Sequence, residues 1–394
     1  MELSKKIQAM ELSPIRKFVP YADAARAAGK KVYGLNIGQP DIKTPRAFFD
    51  AVKNFDQDVL AYANSQGIPE LLEALVGYYK RLGLSFEKKD LLVTTGGSEA
   101  ISMLMTALLD DDDEVIMAEP FYTNYKTFIR AAGGKLVGIP TTAEEGYQYA
   151  VKEKIEAVIT PKTKAIINPG NPTGKVLTHD EMKLIVDIAI AHDLFIIADE
   201  VYREFVYDGK TMDTFGAFPE AAQHVVIVDS ISKRFSACGA RMGSIASKNE
   251  ALMGNLMKLC QARLCSATLD QIGAAALYNM DPSYFNEIKA EYEHRRDVAV
   301  EALNEIEGIR YGVPEGAFYI TCKLPVDDAE KFLMFLLTEF DVNGETCMFA
   351  PAGGFFTNPE AGKSDMRIAY VLKAEDMKAG INIIKEGIKA YNAR

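Results

Sequence analysis

VVIVDSISKRFSACGARMG, residues 225–243, is the stretch whose reading decides the fold. VVIV is a continuous apolar run, the pattern of a strand buried on both faces. It gives way at once to Ser230, Ser232, Lys233 and Arg234, then to Ala237, Gly239, Ala240 and Arg241. Hydroxyls and cations gathered at the end of a buried strand have two readings. One is a solvated loop with ordinary charges; the other is a phosphate site beside a lysine that does covalent chemistry. A lone SxSK favours the first, so the choice depends on the rest of the chain.

The same pattern recurs. Short Val- and Ile-rich runs at 90–95, 114–120, 135–140, 164–169, 194–200, 225–230 and 243–247 read as strands. Amphipathic stretches such as 98–109 and 179–193 lie between them and read as helices. This βα alternation predicts an α/β fold with a mostly parallel central sheet flanked by helices. Ligands of such sheets sit beyond the carboxyl ends of the strands, where the polar residues cluster. The pattern changes near residue 283, where SYFNEIKAEYEHRRDVAVEALNEI (283–306) reads as one long helix, followed by short strands and a helix over 329–340. The expected division is a large domain of residues 46–284 and a smaller α+β domain. Residues 285–394, with 1–45 as an N-terminal arm, form the smaller one. The acidic run DDDDE (110–114) reads as a solvated helix-to-strand turn.

Bulk properties exclude several classes. The 394 residues are 48% hydrophobic and 25% charged, which suits a soluble globular protein with a large core. A net charge of −11 argues against nucleic acid or an anionic membrane as the main partner. The cysteines at 238, 260, 265, 322 and 347 are odd in number and form no CxxC pair, which fits a reducing compartment. Neither they nor the histidines show metal-type spacing, so no metal is expected. The start MELSKKIQAM lacks the apolar core of a signal peptide, and no run approaches the ~18 apolar residues of a membrane span. The expected location is the cytoplasm.

Three further motifs carry chemistry. TTGGSEA (94–100) is a strand, two glycines and a helix starting at Ser98 or Glu99, whose free N–H groups would attract an anion. NPGNPTG (168–174) follows a strand and presents Asn171 from a loop stiffened by two X-Pro steps, unless it is an ordinary proline-rich turn. IIADEVYREF (196–205) puts Asp199 at the end of an apolar strand, where a carboxylate needs a partner. A salt bridge or helix cap would serve, and so would a protonated ring nitrogen, with Tyr202 at another edge of that ring. There is no GxGxxG and no GxxxxGK[ST], which disfavours dinucleotide and P-loop readings.

Taken together, TTGGSEA, NPGNPTG, ADEVY, SxSK followed by Arg241, and RIAY (367–370) resemble the class I/II aminotransferases of the fold-type-I pyridoxal-phosphate superfamily. The resemblance runs from NIGQPD near the N-terminus to MRIAY near the C-terminus. It implies pyridoxal 5′-phosphate as cofactor, with Lys233 as the Schiff-base lysine that also shuttles the proton at the substrate α-carbon. Asp199 would keep the ring nitrogen protonated, and Tyr202 and Asn171 would bond the phenolic oxygen. Ser230, Ser232, Arg241, Gly97 and Ser98 would hold the phosphate, and Tyr122 would stack on the ring. Tyr62 would reach the phosphate from the neighbouring subunit of a homodimer. Arg367, with Gly38 and Asn171, would bind the substrate α-carboxylate.

The implied reaction moves an amino group from an L-amino acid to a 2-oxo acid, with 2-oxoglutarate the expected acceptor. A β-lyase of the C–S type is the alternative on the same residues. A non-catalytic sensor would need a DNA-binding segment that nothing here resembles, and a cofactor-free nucleotide binder leaves Lys233, Asp199 and Tyr202 unexplained. Ser98 departs from the family pattern by standing where some aspartate-type relatives carry a lysine, and Tyr122 by standing where many carry tryptophan.

Overall fold

The computed structural model describes every residue except Ala9 and Pro169. Pro169, which belongs to NPGNPTG and to the expected strand 164–169, lies outside the described residues. Two helices, Lys5–Gln8 and Val19–Ala27, and then β1 (Lys31–Gly34) precede the central sheet. The seven expected strands all form, each within a residue or two of its range. They are β2 (Leu91–Thr94), β3 (Glu114–Ala118), β4 (Lys135–Ile139), β5 (Thr163–Asn168), β6 (Phe195–Asp199), β7 (Val225–Ser230) and β8 (Gly243–Ala246). They make one sheet in the order β2-β8-β7-β6-β5-β3-β4. The pairs from β4 through β7 are parallel, and β8 runs antiparallel to both its neighbours.

The unbroken apolar runs are explained by the two layers they serve. Val225 and Ile227 point into one core with Ile166 and Ile196, while Val226 and Val228 point into the other with Ile167 and Ile197. Successive side chains of a strand face opposite ways, so a strand covered on both sides needs apolar residues at every position. Each such side chain stabilises the fold by about 1.5–3 kcal/mol on burial. Polar residues are therefore pushed to the strand ends.

Helices cover both faces, and their starts follow local chemistry. Before His179–Ala191, the Thr178 hydroxyl accepts from the Glu181 amide and the Glu181 carboxylate accepts from the Thr178 amide, a reciprocal cap. The helix expected at Ser98 or Glu99 begins earlier, at Gly96 (Gly96–Leu108). Gly96 turns the chain with φ of 76°, and the Glu99 carboxylate reaches back to the Thr95 amide at 2.6 Å, closing the first turn two residues sooner.

The C-terminal part adds β9 (Arg310–Tyr311), β10 (Tyr319–Lys323), β11 (Glu345–Met348), β12 (Ala350–Pro351) and β13 (Asp365–Ala369). An antiparallel sheet runs β12-β13-β10-β9, and β11 pairs in parallel with β1. The helices Tyr284–Asn304, Ala329–Thr338 and Ala374–Asn392 pack here around a separate core containing Phe318, Ile320, Phe332 and Ile381. That core also takes Tyr202, Phe205 and Tyr207 from the stretch after β6. Among the described residues no helix is long and apolar enough to cross a membrane.

Asp365 on β13 is buried and makes no ion pair or side-chain hydrogen bond among the described residues. Burial pushes its carboxyl up to about 6, with Lys323 pulling the other way. An unfolded aspartate titrates near ~3.9, so the folded form binds the extra proton. The stabilisation tied to that proton is complete below ~4 and is lost as pH rises through 6. Asp365→Asn is expected to stabilise the protein by about 1–3 kcal/mol at pH 7.5, and by far less at pH 4.5. Urea unfolding at the two pH values checks this.

Candidate active site

One cavity of about 750 Å³ opens at the carboxyl ends of β5, β6 and β7. It gathers every site residue singled out from the sequence except Tyr62. Tyr62 lies instead on an exposed stretch and is 81% accessible.

At one end is a cup of donors. Ser230 is the last residue of β7, and its Oγ caps the short helix Ile231–Arg234 by accepting from the Ser232 amide at 3.1 Å. The two serine hydroxyls lie 2.8 Å apart, and Arg241 Nη1 is 3.5 Å from Ser232 Oγ. Arg241 is held in the left-handed region (φ 52°, ψ 47°), a conformation a non-glycine residue keeps only where its surroundings enforce it. Its guanidinium lies against Gly96, where a Cβ would come within 2.5 Å of Nη2. The start of the helix Gly96–Leu108 completes the cup with Gly97 and Ser98. Hydroxyls, a guanidinium and a helix N-terminus together suit a phosphate.

Beside the cup, Lys233 points into the cavity, and its Nζ donates to the Gly38 carbonyl at 2.8 Å. Asp199, at the end of β6, is half-buried, and the loss of water around it holds its carboxyl above the usual range. The Tyr125 hydroxyl and the Val201 amide bond it and oppose that rise, as does the charge of Lys233. Among the described residues Asp199 makes no ion pair, so a protonated nitrogen placed against it would gain a strong partner. Tyr202 places its hydroxyl 2.9 Å from that of Tyr319.

At the other end stands Arg367, in the middle of the antiparallel sheet between Ala350 and Thr321. The residue is 2% accessible and has no carboxylate partner among the described residues. Nη1 donates to Asn171 Oδ1 at 2.9 Å and Nη2 to the Asn36 carbonyl at 2.8 Å, while Nε is buried without an acceptor. The rings of Tyr319 and Phe355 lie 4.4 and 5.2 Å from the guanidinium. A buried cation with neutral partners is costly and is ready for a bidentate carboxylate.

Tyr125, Tyr319 and Arg16 were missed from the sequence. Tyr125 stands in the same FYTNY stretch as Tyr122 and could have been found as a second tyrosine one helical turn on. Tyr319, in GAFYI, reads as ordinary strand core. Arg16 lies in an N-terminal stretch without pattern, yet it lines the cavity. Burial raises the Tyr122 hydroxyl, and the charges of Arg367 and Arg16 both oppose that rise, so both cations act on this ring.

Comparison with known proteins agrees with this geometry. The family described as aminotransferase class I and II matches residues 30–384. The probable aspartate/prephenate aminotransferase of Aquifex aeolicus (strain VF5) is 30% identical, with 98% of each chain covered. The aromatic-amino-acid aminotransferase 2 of Thermococcus litoralis is 30% identical over 99% of each chain. The structure of Thermus thermophilus aspartate aminotransferase with maleate superposes with a TM-score of 0.89 at 27% identity, covering 98% of this chain and all of that one. The aminotransferase reading therefore stands over the β-lyase alternative.

Beneath the site lies a buried ion pair that the sequence did not announce. Arg234, next to Lys233, turns the other way into the core, with Nη2 2.5 Å from Asp229 Oδ1 and its guanidinium 4.8 Å from the Tyr78 ring. Arg234→Met leaves Asp229 buried without its cation, keeping only the Ser230 amide as donor, at an expected cost of about 3–5 kcal/mol. Asp229 can then relieve the cost only by taking up a proton, so the loss should be larger at pH 8 than at pH 6. Adding Asp229→Asn should recover much of it. Chemical denaturation of the single and double variants checks both points.

Proposed function

For a chain that belongs to the class I and II aminotransferases, and is thus a pyridoxal-phosphate-dependent transaminase, we propose that Lys233 is the lysine that bonds the cofactor and that 2-oxoglutarate is the amino acceptor. The observation that carries the residue assignment is the pairing, in one cavity, of the Lys233 amine with a buried Arg367 that lacks a carboxylate.

The residues present suit the cofactor on two counts. The cup of Ser230, Ser232, Arg241 and the Gly97–Ser98 helix start has the donors for its phosphate, and Gly96 keeps clear the space that a Cβ would deny to Arg241. Asp199 offers a half-buried acceptor for its ring nitrogen. When bound, pyridoxal phosphate supplies an aldehyde carbon that bonds amines and a ring that withdraws electrons from the substrate α-carbon.

In this reading Asp199 holds a proton on the ring nitrogen, an interaction of about 1–3 pKa units between opposite charges in contact. Tyr125 orients Asp199. Tyr202 and Asn171 donate to the phenolic oxygen, and Tyr122 covers the ring face. Arg367 takes the substrate α-carboxylate, with the Gly38 backbone and Asn171 alongside, and so aims the α-C–H bond. The Lys233 amine would take the proton from that carbon as a general base and deliver it, as a general acid, to the carbon that the cofactor's aldehyde supplies. Arg16 makes no ion pair or side-chain hydrogen bond among the described residues and lines the same cavity, which supports it as the reader of a second, distal carboxylate. That role would move from Ser98, where some relatives carry lysine, to the N-terminal arm.

The active form is a homodimer in this proposal, with Tyr62 reaching the partner's phosphate cup. Exposed Val59 and Leu60 beside Tyr62 support this, since apolar side chains grouped on an extended stretch favour an interface. Five free cysteines support a cytoplasmic location. The separate cores of the two sheets support the division into residues 46–284 and residues 1–45 with 285–394.

Adding single L-amino acids to the cofactor-loaded protein, with no 2-oxo acid present, tests the assignment. The visible band should fade as one equivalent of 2-oxo acid per chain is released, and Lys233→Ala should show no such band shift and no release. Retention of parental turnover by Lys233→Ala would sink it. Arg16→Met should raise KM for 2-oxoglutarate by about tenfold, in line with loss of a charge-assisted contact, while leaving KM for pyruvate within about twofold.

A further inference from the structure

Tyr319 is the first residue of β10, and its side chain reaches from the antiparallel sheet into the cavity formed at the ends of the parallel strands. Three contacts fix it there. Its hydroxyl lies 2.9 Å from the Tyr202 hydroxyl, with the rings edge-on at 5.6 Å and 82°. Its ring lies 4.4 Å from the Arg367 guanidinium. Its hydroxyl also lies so close to Gly38 that a Cβ there would come within 1.9 Å of it. The Gly38 carbonyl in turn accepts from Lys233. Neither phenol has another hydrogen-bond partner among the described residues.

Counting protons sets the direction of the pair. Each phenol carries one proton and can accept through its oxygen. Once Tyr202 donates outward to a ligand, its oxygen can only accept, so the proton between the two rings belongs to Tyr319. We propose that Tyr319 is a positioning residue whose hydroxyl donates to Tyr202, aims the Tyr202 proton into the cavity and makes it a stronger donor. Its ring against Arg367 ties that donor to the carboxylate end of the site. The inference rests on the reading that Tyr202 faces the phenolic oxygen of the cofactor.

A donor to a phenolic oxygen favours its negative form and drains the charge that would hold a neighbouring proton. Hydrogen bonds in series reinforce one another, by roughly 10–30% each. Losing either hydroxyl should therefore move the pH midpoint of the cofactor's visible band upward. The test is a spectrophotometric pH titration of the cofactor-loaded protein without substrate, for the parent, Tyr319→Phe, Tyr202→Phe and the double variant. The expected shifts are about 0.3–1 pH unit for Tyr319→Phe and about 1–2 for Tyr202→Phe. Tyr319→Phe should add nothing once Tyr202 is already phenylalanine.

If Tyr202→Phe shifts the midpoint and Tyr319→Phe does not, the inference about Tyr319 is wrong while the reading of Tyr202 stands. If neither shifts it, both fall. A Tyr319→Phe shift that persists in the Tyr202→Phe background places the effect elsewhere and overturns the inference. Should Tyr319→Phe fail to retain cofactor, Tyr319→Leu removes the hydroxyl while relieving the crowding at Gly38, and the same shifts support or overturn the proposal.

Discussion

The molecule is organised by one constraint: β5, β6 and β7 lie side by side with both faces covered. Along such strands no polar side chain can be carried cheaply, because an unpaired buried polar group costs kilocalories. Polar residues are confined to the ends. Since the strands are parallel, their carboxyl ends meet on one edge, and Asp199 and Ser230 come together there with Asn171 from the loop after β5. These cavity-lining groups are neighbours because the sheet has no other place for them.

The second organising feature is a set of charges, each left with an incomplete shell. Arg367 has an amide and a carbonyl but no carboxylate, and Asp199 has a phenol and an amide but no cation in contact. Arg234 and Asp229, one layer deeper, pair with each other directly, although Arg234 Nε and Nη1 have no hydrogen-bond partner among the described residues. The contrast separates the two uses of buried charge. The deeper pair braces the short helix that carries Lys233, while the upper groups keep capacity for groups that arrive from outside. Enclosure strengthens that capacity, since electrostatic interactions grow as water is excluded.

Much of this was legible in the sequence, for physical reasons that differ by element. The central strands were readable because burial on both faces demands uninterrupted Val and Ile. The cup and Asp199 were readable because hydroxyls, cations and a carboxylate at the end of such a run are otherwise hard to explain. The start of the helix Gly96–Leu108 was misplaced because it depends on the φ of Gly96 and on Glu99 reaching backward, neither of which shows in residue type alone. The burial of Arg367 was not legible, because nothing in MRIAY declares what two neighbouring strands impose. Tyr319 and Arg16 left no signal: the first is indistinguishable from core, and the second is brought to the cavity only by the path of the N-terminal arm.

The packing of Tyr202, Phe205 and Tyr207 sets how far this protein can be divided. These side chains follow β6 of the parallel sheet, yet they fill the core beneath the antiparallel one, alongside Phe18, Tyr33 and Leu35 from the N-terminal arm. A fragment beginning near residue 285 would carry the helices and strands of that core but lack the aromatic rings that close it. The complementary fragment would leave those rings in water. The architecture is thus not modular in the sense that would let recombination trade one half for another.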